Sequence, residues 1–334
     1  VIDLGINVKT NIEMGKDFNI NSLFNNGFDA IYIAVGAHKA SNMRLENENN
    51  TEGVLWGIDF LRELPTKPPN LKGTVLIVGG GNTAIDSART ALRCGADTVK
   101  IVYRRIIKEM PAHPSEIEAA REEGVEFLFL TLPKTIIRNG NRLSAIECLK
   151  MELQDAKPGE RPRPVPIENS EFILECNYLI GAIGQQIDTS FNDPSSGCEL
   201  EKRGTIKINE ETLETSIKGV FAGGDIVTGP FTAISSIAQA KKAAESIDSY
   251  LRTGKPEKQK KHFLSFKHKF SEVSEHELEH IEKNARNKMP ELPLKKRTNN
   301  FNEVELGYSD DQSSSEAFRC LECGCSQFYD CKLR

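Results

Sequence analysis

The sequence has 334 residues, of which 38 % are hydrophobic and 27 % charged, with a formal net charge of −5 at pH 7. Its length predicts two domains, because a single hydrophobic core stops growing at roughly 250–300 residues. The acidic balance disfavours nucleic acid and anionic membranes as partners, since both require a basic excess. No apolar run approaches the roughly 18 residues that span a bilayer, and no signal sequence is visible. The single, scattered cysteines Cys94, Cys148, Cys176 and Cys198 then favour a reducing, cytoplasmic location.

Strands and helices alternate along the first two thirds of the chain. Short β-branched runs predict buried strands, and apolar residues at a helical period predict helices. The predicted strands are 1–8, 28–36, 74–78, 99–103, 125–130, 178–183 and 219–225. The predicted helices are 53–64, 83–92, 115–123 and 232–251. An antiparallel pair, 142–153 and 172–176, is separated by the Pro-rich loop 157–166. Strand, helix and strand at this spacing predict an α/β fold with a parallel sheet.

A glycine-rich turn of the form G-x-G-x-x-A joins the strand 74–78 to the next helix. It consists of Gly79, Gly80, Gly81, Asn82, Thr83 and Ala84. Gly79 permits the tight turn, Gly81 lets backbone N–H groups approach a pyrophosphate, and Ala84 lets the helix pack close to the strand. The positive end of the helix dipole then faces the phosphates. The turn therefore predicts a dinucleotide site, the alternative being a glycine-rich βα turn without a ligand.

The end of the following strand distinguishes between the two nicotinamide nucleotides. An NAD site usually places a carboxylate there for the ribose 2′-OH, but this chain has Arg104 and Arg105, and Asp97 lies at the wrong end of the strand. Guanidinium groups bind a 2′-phosphate that a carboxylate would repel. We therefore predict NADPH rather than NADH, the alternative being that these arginines only cap a strand at the surface.

A second candidate site lies where two more strands end in glycine. The stretch 219–225 ends in Gly224 and Asp225, which can place a carboxylate beside a ligand hydroxyl, and Thr232 begins a long helix whose N–H groups can face a flavin carbonyl. Gly36 and Gly184 close two further buried strands and are also predicted to lie at a cofactor. Read without any analogy, a structural strand, turn and helix fits these residues equally well.

Four cysteines stand close together near the end of the sequence: Cys320, Cys323, Cys325 and Cys331. Four thiolates at this spacing can enclose an iron–sulfur cluster or a tetrahedral zinc ion. The spacing differs from the common ferredoxin run, so the cluster, zinc and unligated thiols all remain open.

These motifs resemble the flavoprotein family of the glutamate synthase small subunit. That family includes the N-terminal part of dihydropyrimidine dehydrogenase and the flavin subunit of ferredoxin:NADP transhydrogenases. The resemblance is carried by residues 28–37, 53–61, 74–105, 109–112, 116–130, 180–185 and 219–251. Longer members of the family also end in a stretch similar to residues 319–325 here, and many are partners in iron–sulfur electron-transfer complexes.

The resemblance implies two Rossmann-like, three-layer domains, with an NADPH domain inserted into an FAD domain. By this likeness Asp225 binds the FAD ribityl chain, the helix start at Thr232 lies near the isoalloxazine, and Arg104 and Arg105 bind the 2′-phosphate. The family's first βαβ unit is missing, and we expect it upstream of Val1. The implied segments are 1–52 and 187–254 for the FAD domain, 53–186 for the NADPH domain, 255–300 for a charged arm or linker, and 301–334 for the Cys-rich tail.

The function implied is hydride transfer between NADPH and FAD, followed by electron passage to a 4Fe–4S cluster, a ferredoxin or a partner subunit such as the glutamate synthase large subunit. One alternative belongs to another functional class: a non-catalytic electron-relay or assembly module of an iron–sulfur enzyme complex. A disulfide reductase is disfavoured, since no Cys-x-x-Cys pair lies in the predicted nucleotide domain.

Overall fold

The computed structural model describes residues 2–155, 161–193, 197–258, 276, 279, 284–298 and 300–319. The chain divides into two compact units, Val1–Gln259 and Lys260–Arg334. In the second unit the helices Leu294–Arg297 and Asp310–Phe318 are described, whereas all four clustered cysteines lie outside the described residues. None of the helices in the described ranges combines the length and the apolar character needed to cross a membrane.

The first unit contains all the strands that the description covers. They are β1 (Ile31–Ile33), β2 (Lys39–Ala40), β3 (Val54–Trp56), β4 (Thr74–Val78), β5 (Thr98–Tyr103), β6 (Glu126–Phe129), β7 (Thr131–Asn139), β8 (Arg142–Gln154), β9 (Arg163–Pro166), β10 (Phe172–Glu175), β11 (Tyr178–Gly181), β12 (Gln185–Gln186) and β13 (Val220–Ala222). The helices are α1 (Ile20–Asn25), α2 (Gly57–Glu63), α3 (Asn82–Arg93), α4 (Pro114–Glu122), α5 (Asp225–Thr228) and α6 (Ala233–Thr253). Short 3-10 turns are formed by Ile2–Leu4, Glu48–Asn50 and Ile107–Glu109.

A five-stranded parallel sheet in the order β3-β11-β4-β5-β6 forms the centre of the inserted domain. The strand β4 has apolar residues at successive positions. This is expected of a strand whose two faces are both packed against other elements. Val75 and Ile77 pack on one side against α2, α3 and α4. Leu76 and Val78 pack on the other side against the antiparallel sheet of β7, β8 and β10. The domain therefore has three layers, with helices on one face and a second sheet on the other.

Two parts of this domain differ from the sequence-based prediction. Val54 and Leu55, predicted to begin a helix, instead form the edge strand β3 beside β11, so helix α2 begins only at Gly57. The strand β7 was not predicted, and the Pro-rich loop contributes β9, which pairs with β8. Prolines are tolerated in β9 because it is an edge strand, whose pairing in the described part of the chain is with β8. In each case pairing with a distant strand overrides the local pattern.

The chain enters and leaves the inserted domain through one smaller parallel pair. In that pair β1 lies beside β13, with Ile31 opposite Val220 and Ile33 opposite Ala222. Since these strands stand on either side of the inserted domain in sequence, the outer domain is discontinuous. The ribbon β2·β12 connects the two parts. Side chains from α1, β1, β13 and α5 form the core of the outer domain.

The strand predicted at residues 1–8 in the outer domain does not form. Residues 1–8 contain only the turn Ile2–Leu4, and Leu4, Ile6 and Val8 are 82 %, 50 % and 60 % exposed. No strand in the described part of the chain pairs with this stretch, and an unpaired apolar run does not become a strand by pattern alone. Residues 205–209 make single bridges, from Ile206 to Leu200 and from Ile208 to Thr215.

Candidate functional site

A cleft of about 460 Å³ opens at the carboxyl ends of β4, β5 and β11. This is the edge of a parallel α/β sheet at which ligands bind. The cleft brings together six of the residues predicted from sequence: Gly79, Gly81, Thr83, Arg104, Arg105 and Gly184. Further lining comes from residues that the sequence did not single out: Met43, Leu45, Val78, Gly80, Val102, Tyr103, Pro111, Thr131, Leu132, Pro133, Arg161, Ala182 and Ile183.

The three consecutive glycines of the turn are required for different reasons. Gly79 has φ +146°, and a Cβ there would lie 2.2 Å from the carbonyl oxygen of Ala182. A Cβ on Gly80 would lie 2.5 Å from the Tyr103 ring. By contrast, a Cβ on Gly81 would meet nothing nearer than Pro111 Cγ at 3.8 Å. The fold therefore demands glycine at the first two positions, while the space in front of the third is open.

The helix that follows the turn presents an uncapped N-terminus. Gly81 is the N-cap residue of α3, and no side chain caps the first turn of the helix. The free N–H groups at a helix start and the helix dipole together favour an anion. Asn82 and Ala84 do not line the cleft: Asn82 Oδ1 accepts a hydrogen bond from the His113 N–H at 3.1 Å, and Ala84 is fully buried under the turn.

The segment after the two arginines supports the turn from outside the sheet. The Tyr103 hydroxyl donates to the Glu109 carbonyl at 2.7 Å, and the Ala112 N–H donates to the Gly80 carbonyl at 3.1 Å. Met110 is buried in the same core as α3 and α4. This gives the stretch 109–112 a structural role, which is to fix the position of the glycine turn.

The cleft is strongly cationic. Arg104, Arg105 and Arg161 line it, and there is no carboxylate among the described residues that do so. The Arg105 Nε–H donates to the Pro162 carbonyl at 3.1 Å, while Arg104 is exposed. Asp97 is placed at the opposite end of the sheet, where its Oδ2 accepts the Gly73 N–H at 2.8 Å. An anionic group in the cleft therefore meets guanidinium groups, and no negatively charged side chain of the described lining repels it.

The second predicted set gathers at the carboxyl ends of β1 and β13. Because these strands are parallel neighbours, Gly36 after β1 and Gly224 after β13 come to the same edge, each with φ above +70°. Asp225 Oδ1 accepts the Phe231 N–H at 3.2 Å. Thr232 is the N-cap of α6, and its Oγ1 accepts the Ser235 N–H at 3.4 Å.

Two residues in this second region were missed by sequence reasoning. Gln239 Oε1 accepts the Gly224 N–H at 2.6 Å, which ties α6 to the turn after β13. A Cβ on Gly223 would lie 2.3 Å from the Tyr32 hydroxyl oxygen, so a larger residue at the strand end would displace the Tyr32 side chain. Burial raises the pKa of Tyr32, which keeps its phenol neutral. Neither side chain carries a recognisable motif, because each acts through a partner distant in sequence.

The four described cysteines offer no thiol chemistry to either site. Cys94, Cys148, Cys176 and Cys198 are free and buried. Burial raises the pKa of both Cys148 and Cys176 to about 12, so these thiols stay protonated and unreactive. Within the described ranges no group of three or more His, Cys, Asp or Glu residues is arranged to hold a metal ion.

Curated relatives of this chain are nucleotide-dependent redox enzymes. It is 39 % identical over 325 residues to the NADP(+)-dependent formate dehydrogenase subunit beta of Moorella thermoacetica, covering 96 % of this chain and 46 % of that protein. It is 35 % identical over 361 residues to the NADPH-Fe(3+) oxidoreductase subunit beta of Geobacter sulfurreducens, covering 97 % and 52 %. The glutamate synthase [NADPH] small chain of Escherichia coli is 33 % identical over 264 residues, covering 74 % and 56 %. The chain thus spans about half the length of these relatives.

Solved structures and a family model agree with this relationship. FprA from Mycobacterium tuberculosis in complex with NADPH has the same fold, with a TM-score of 0.58 and 18 % identity over 73 % of this chain and 68 % of that one. The model described as pyridine nucleotide-disulphide oxidoreductase matches residues 4–246. The resemblance to the glutamate synthase small subunit and the predicted Rossmann-like architecture are confirmed. The chain therefore belongs to the pyridine nucleotide-disulphide oxidoreductase family, whose cofactors are FAD and NADPH.

Proposed function

We propose that this chain accepts electrons from NADPH, bound in the cationic cleft, and delivers them through FAD, bound at the ends of β1 and β13, to a partner. The observation that carries the proposal is the meeting of three features in one cleft: the glycine turn, the uncapped start of α3 and the paired arginines. A pyrophosphate needs the first two features, and a 2′-phosphate needs the third.

The residues of the cleft fit NADPH by shape and by charge. The open space in front of Gly81 admits a pyrophosphate close to the backbone, since no atom of the described chain lies within van der Waals contact of a Cβ there except Pro111. Arg104 is exposed at the end of β5, where the 2′-position of the adenosine ribose is read. The names of all three relatives also include NADP(+) or NADPH.

The second site fits the ribityl and ring portions of a flavin. Gly224 adopts a φ of +77°, which favours glycine. Asp225 keeps a carboxylate oxygen that no described residue engages, and Thr232 caps a helix of 21 residues. When bound, FAD takes two electrons from NADPH and releases them singly. The protein chain itself holds and orients the cofactor: Gln239 fixes the turn that carries Asp225. No side chain is assigned as an acid or a nucleophile, since the cofactor carries the chemistry.

The acceptor is proposed to be an iron–sulfur centre on a partner subunit or on the cysteines Cys320, Cys323, Cys325 and Cys331. Two of the relatives are named as beta subunits, one of an NADP(+)-dependent formate dehydrogenase and one of an NADPH-Fe(3+) oxidoreductase. This supports a role as one component of an electron-transfer complex. A particular substrate such as glutamate is left unassigned, because the relatives differ in that respect.

The preference for NADPH is tested by replacing both arginines at the end of β5. In an anaerobic titration of the full-length protein, we expect NADPH to bleach the flavin absorbance at far lower concentration than NADH. In the variant Arg104→Gln/Arg105→Gln we expect NADPH to require a concentration at least about 100-fold higher, since two charged hydrogen bonds at about 1.5–3 kcal/mol each are lost. The NADH response should stay unchanged.

The matched control for this experiment is Arg163→Gln. Arg163 is an exposed arginine of β9 that does not line the cleft, so its replacement should leave both nucleotides unaffected. Equal responses of the wild-type protein to NADPH and NADH would refute the preference. Absence of any flavin band would refute the enzyme and favour the relay or assembly module.

The flavin site is tested at Asp225. In Asp225→Ala we expect the purified full-length protein to lose most of its bound FAD, because both the carboxylate and the hydrogen bond to the Phe231 N–H disappear. In Asp225→Asn the amide oxygen can still accept from Phe231, so the turn is kept while the charge is lost. The flavin-to-protein ratio, measured by absorbance after denaturation, should fall in both variants. Full occupancy in Asp225→Asn would show that the residue only holds the turn.

A further inference from the structure

A third arginine reaches the cleft from a different part of the chain. Arg161 precedes β9, in the connection that follows β8, and lines the same cleft as Arg104 and Arg105. Its Nε lies 3.4 Å from Glu109 Oε2, and its Nη2 donates to the carbonyl oxygen of Glu109. The next residue, Pro162, accepts the hydrogen bond from Arg105. Arg161 and Pro162, the two residues before β9, are therefore each hydrogen-bonded to residues at or beside the cleft.

The pairing of Arg161 with Glu109 is weak enough to be exchanged. The Arg161 side chain is 52 % exposed and the Glu109 side chain 18 % exposed, and an ion pair that water reaches from one side contributes about 0–1 kcal/mol. In the described part of the chain Arg161 pairs with the carboxylate of Glu109, which does not line the cleft itself. A phosphate monoester carries a charge of about −1.5 to −2 at neutral pH and offers three acceptor oxygens. Such a group competes well with a single carboxylate for the guanidinium.

We propose that Arg161 is a third specificity-determining residue, which binds the 2′-phosphate of the nucleotide in competition with its contact to Glu109. The inference rests on the proposed function, since it assigns a further residue to the same nucleotide site. Glu109 acts here as a competitor: it keeps Arg161 beside the cleft but must release the guanidinium, at least in part, when a phosphate binds. Arg161 thereby gives the connection to β9 a role in choosing the nucleotide.

The experiment measures binding of 2′,5′-ADP and of 5′-AMP to the full-length protein by calorimetry, because these probes differ only by the 2′-phosphate and need no flavin. In Arg161→Gln we expect 2′,5′-ADP to bind at least about tenfold more weakly, because one charged hydrogen bond is lost, and 5′-AMP to bind as before. In Glu109→Gln we expect 2′,5′-ADP to bind several-fold more tightly, because the competing carboxylate is gone. The bonds to the Glu109 carbonyl from Tyr103 and Arg161 are retained in that variant.

The outcomes separate this inference from the function on which it rests. Wild-type protein that binds both probes equally, or neither, contradicts the NADPH site itself. If the wild-type protein prefers 2′,5′-ADP and the Arg161→Gln variant binds it with the same affinity, the role of Arg161 is overturned and the NADPH site is still supported. If Arg161 and Glu109 only brace the connection, both variants will weaken both probes alike, which also overturns it. Arg163→Gln serves as the control for loss of a nearby positive charge, and thermal unfolding checks that each variant folds.

Discussion

Replacement of Gly79 by alanine is expected to lower the free energy of unfolding by about 3–5 kcal/mol, the sum of a strained backbone and an overpacked core. The backbone at this position has φ +146°, and the added Cβ would lie 2.2 Å from the Ala182 carbonyl oxygen. That carbonyl is backbone at the end of β11, so it can move only if the sheet moves. Urea unfolding followed by circular dichroism measures the change.

Two other glycines separate the causes of this loss. Gly124 also has a positive φ, +95°, but a Cβ there meets nothing within 4 Å, so Gly124→Ala should cost only about 1–2 kcal/mol of backbone strain. Gly81→Ala should leave stability nearly unchanged and weaken NADPH binding instead, because its Cβ would enter the space proposed for the pyrophosphate. If Gly79→Ala is as stable as Gly81→Ala, the contact with Ala182 is not the constraint we infer.

Removal of the carboxylate of Glu123 is expected to have a comparable effect on stability. Its side chain is 0 % exposed and receives hydrogen bonds from Arg89 at 2.7 Å and from Arg93 at 2.7 Å. These contacts join the end of α4 to α3, the helix that begins at the glycine turn. In Glu123→Gln two largely buried guanidinium groups lose their counter-charge, which costs about 3 kcal/mol. The control is Glu126→Gln, which breaks an exposed pair with Lys100 and should cost less than about 1 kcal/mol.

The same cluster predicts a dependence of stability on pH. Burial alone would raise the pKa of Glu123, but the hydrogen bonds from Arg89 and Arg93 outweigh it and lower the pKa below the ordinary value of 4.5. A depressed pKa in the folded state stabilises the protein above the unfolded pKa, and this stabilisation is lost as pH falls through the folded value. The difference in unfolding free energy between wild type and Glu123→Gln should therefore be constant near pH 7 and shrink below about pH 4.5. A difference that stays constant down to pH 3 would contradict this assignment.

The sequence by itself determined the nucleotide half of this protein. The turn from Gly79 to Ala84 and the arginines after β5 are local signals, because a βα turn and a strand end are each formed by neighbours in sequence. The strands 74–78 and 99–103 and the helix after the turn were predicted within one residue at each end, since long apolar runs and clear helical periods leave little ambiguity. That the turn binds the pyrophosphate, and that Arg104 and Arg105 bind the 2′-phosphate, remain predictions.

Only the tertiary structure decided the features that depend on distant partners. It placed Val54 and Leu55 in a strand beside β11, and it left residues 1–8 without a strand because no partner is present in the described chain. It also brought Arg161 and Gln239 to the two sites. The physical reason is the same in each case. Strand pairing and side-chain hydrogen bonds between residues far apart in sequence leave no periodic or local trace, so only the folded chain reveals them.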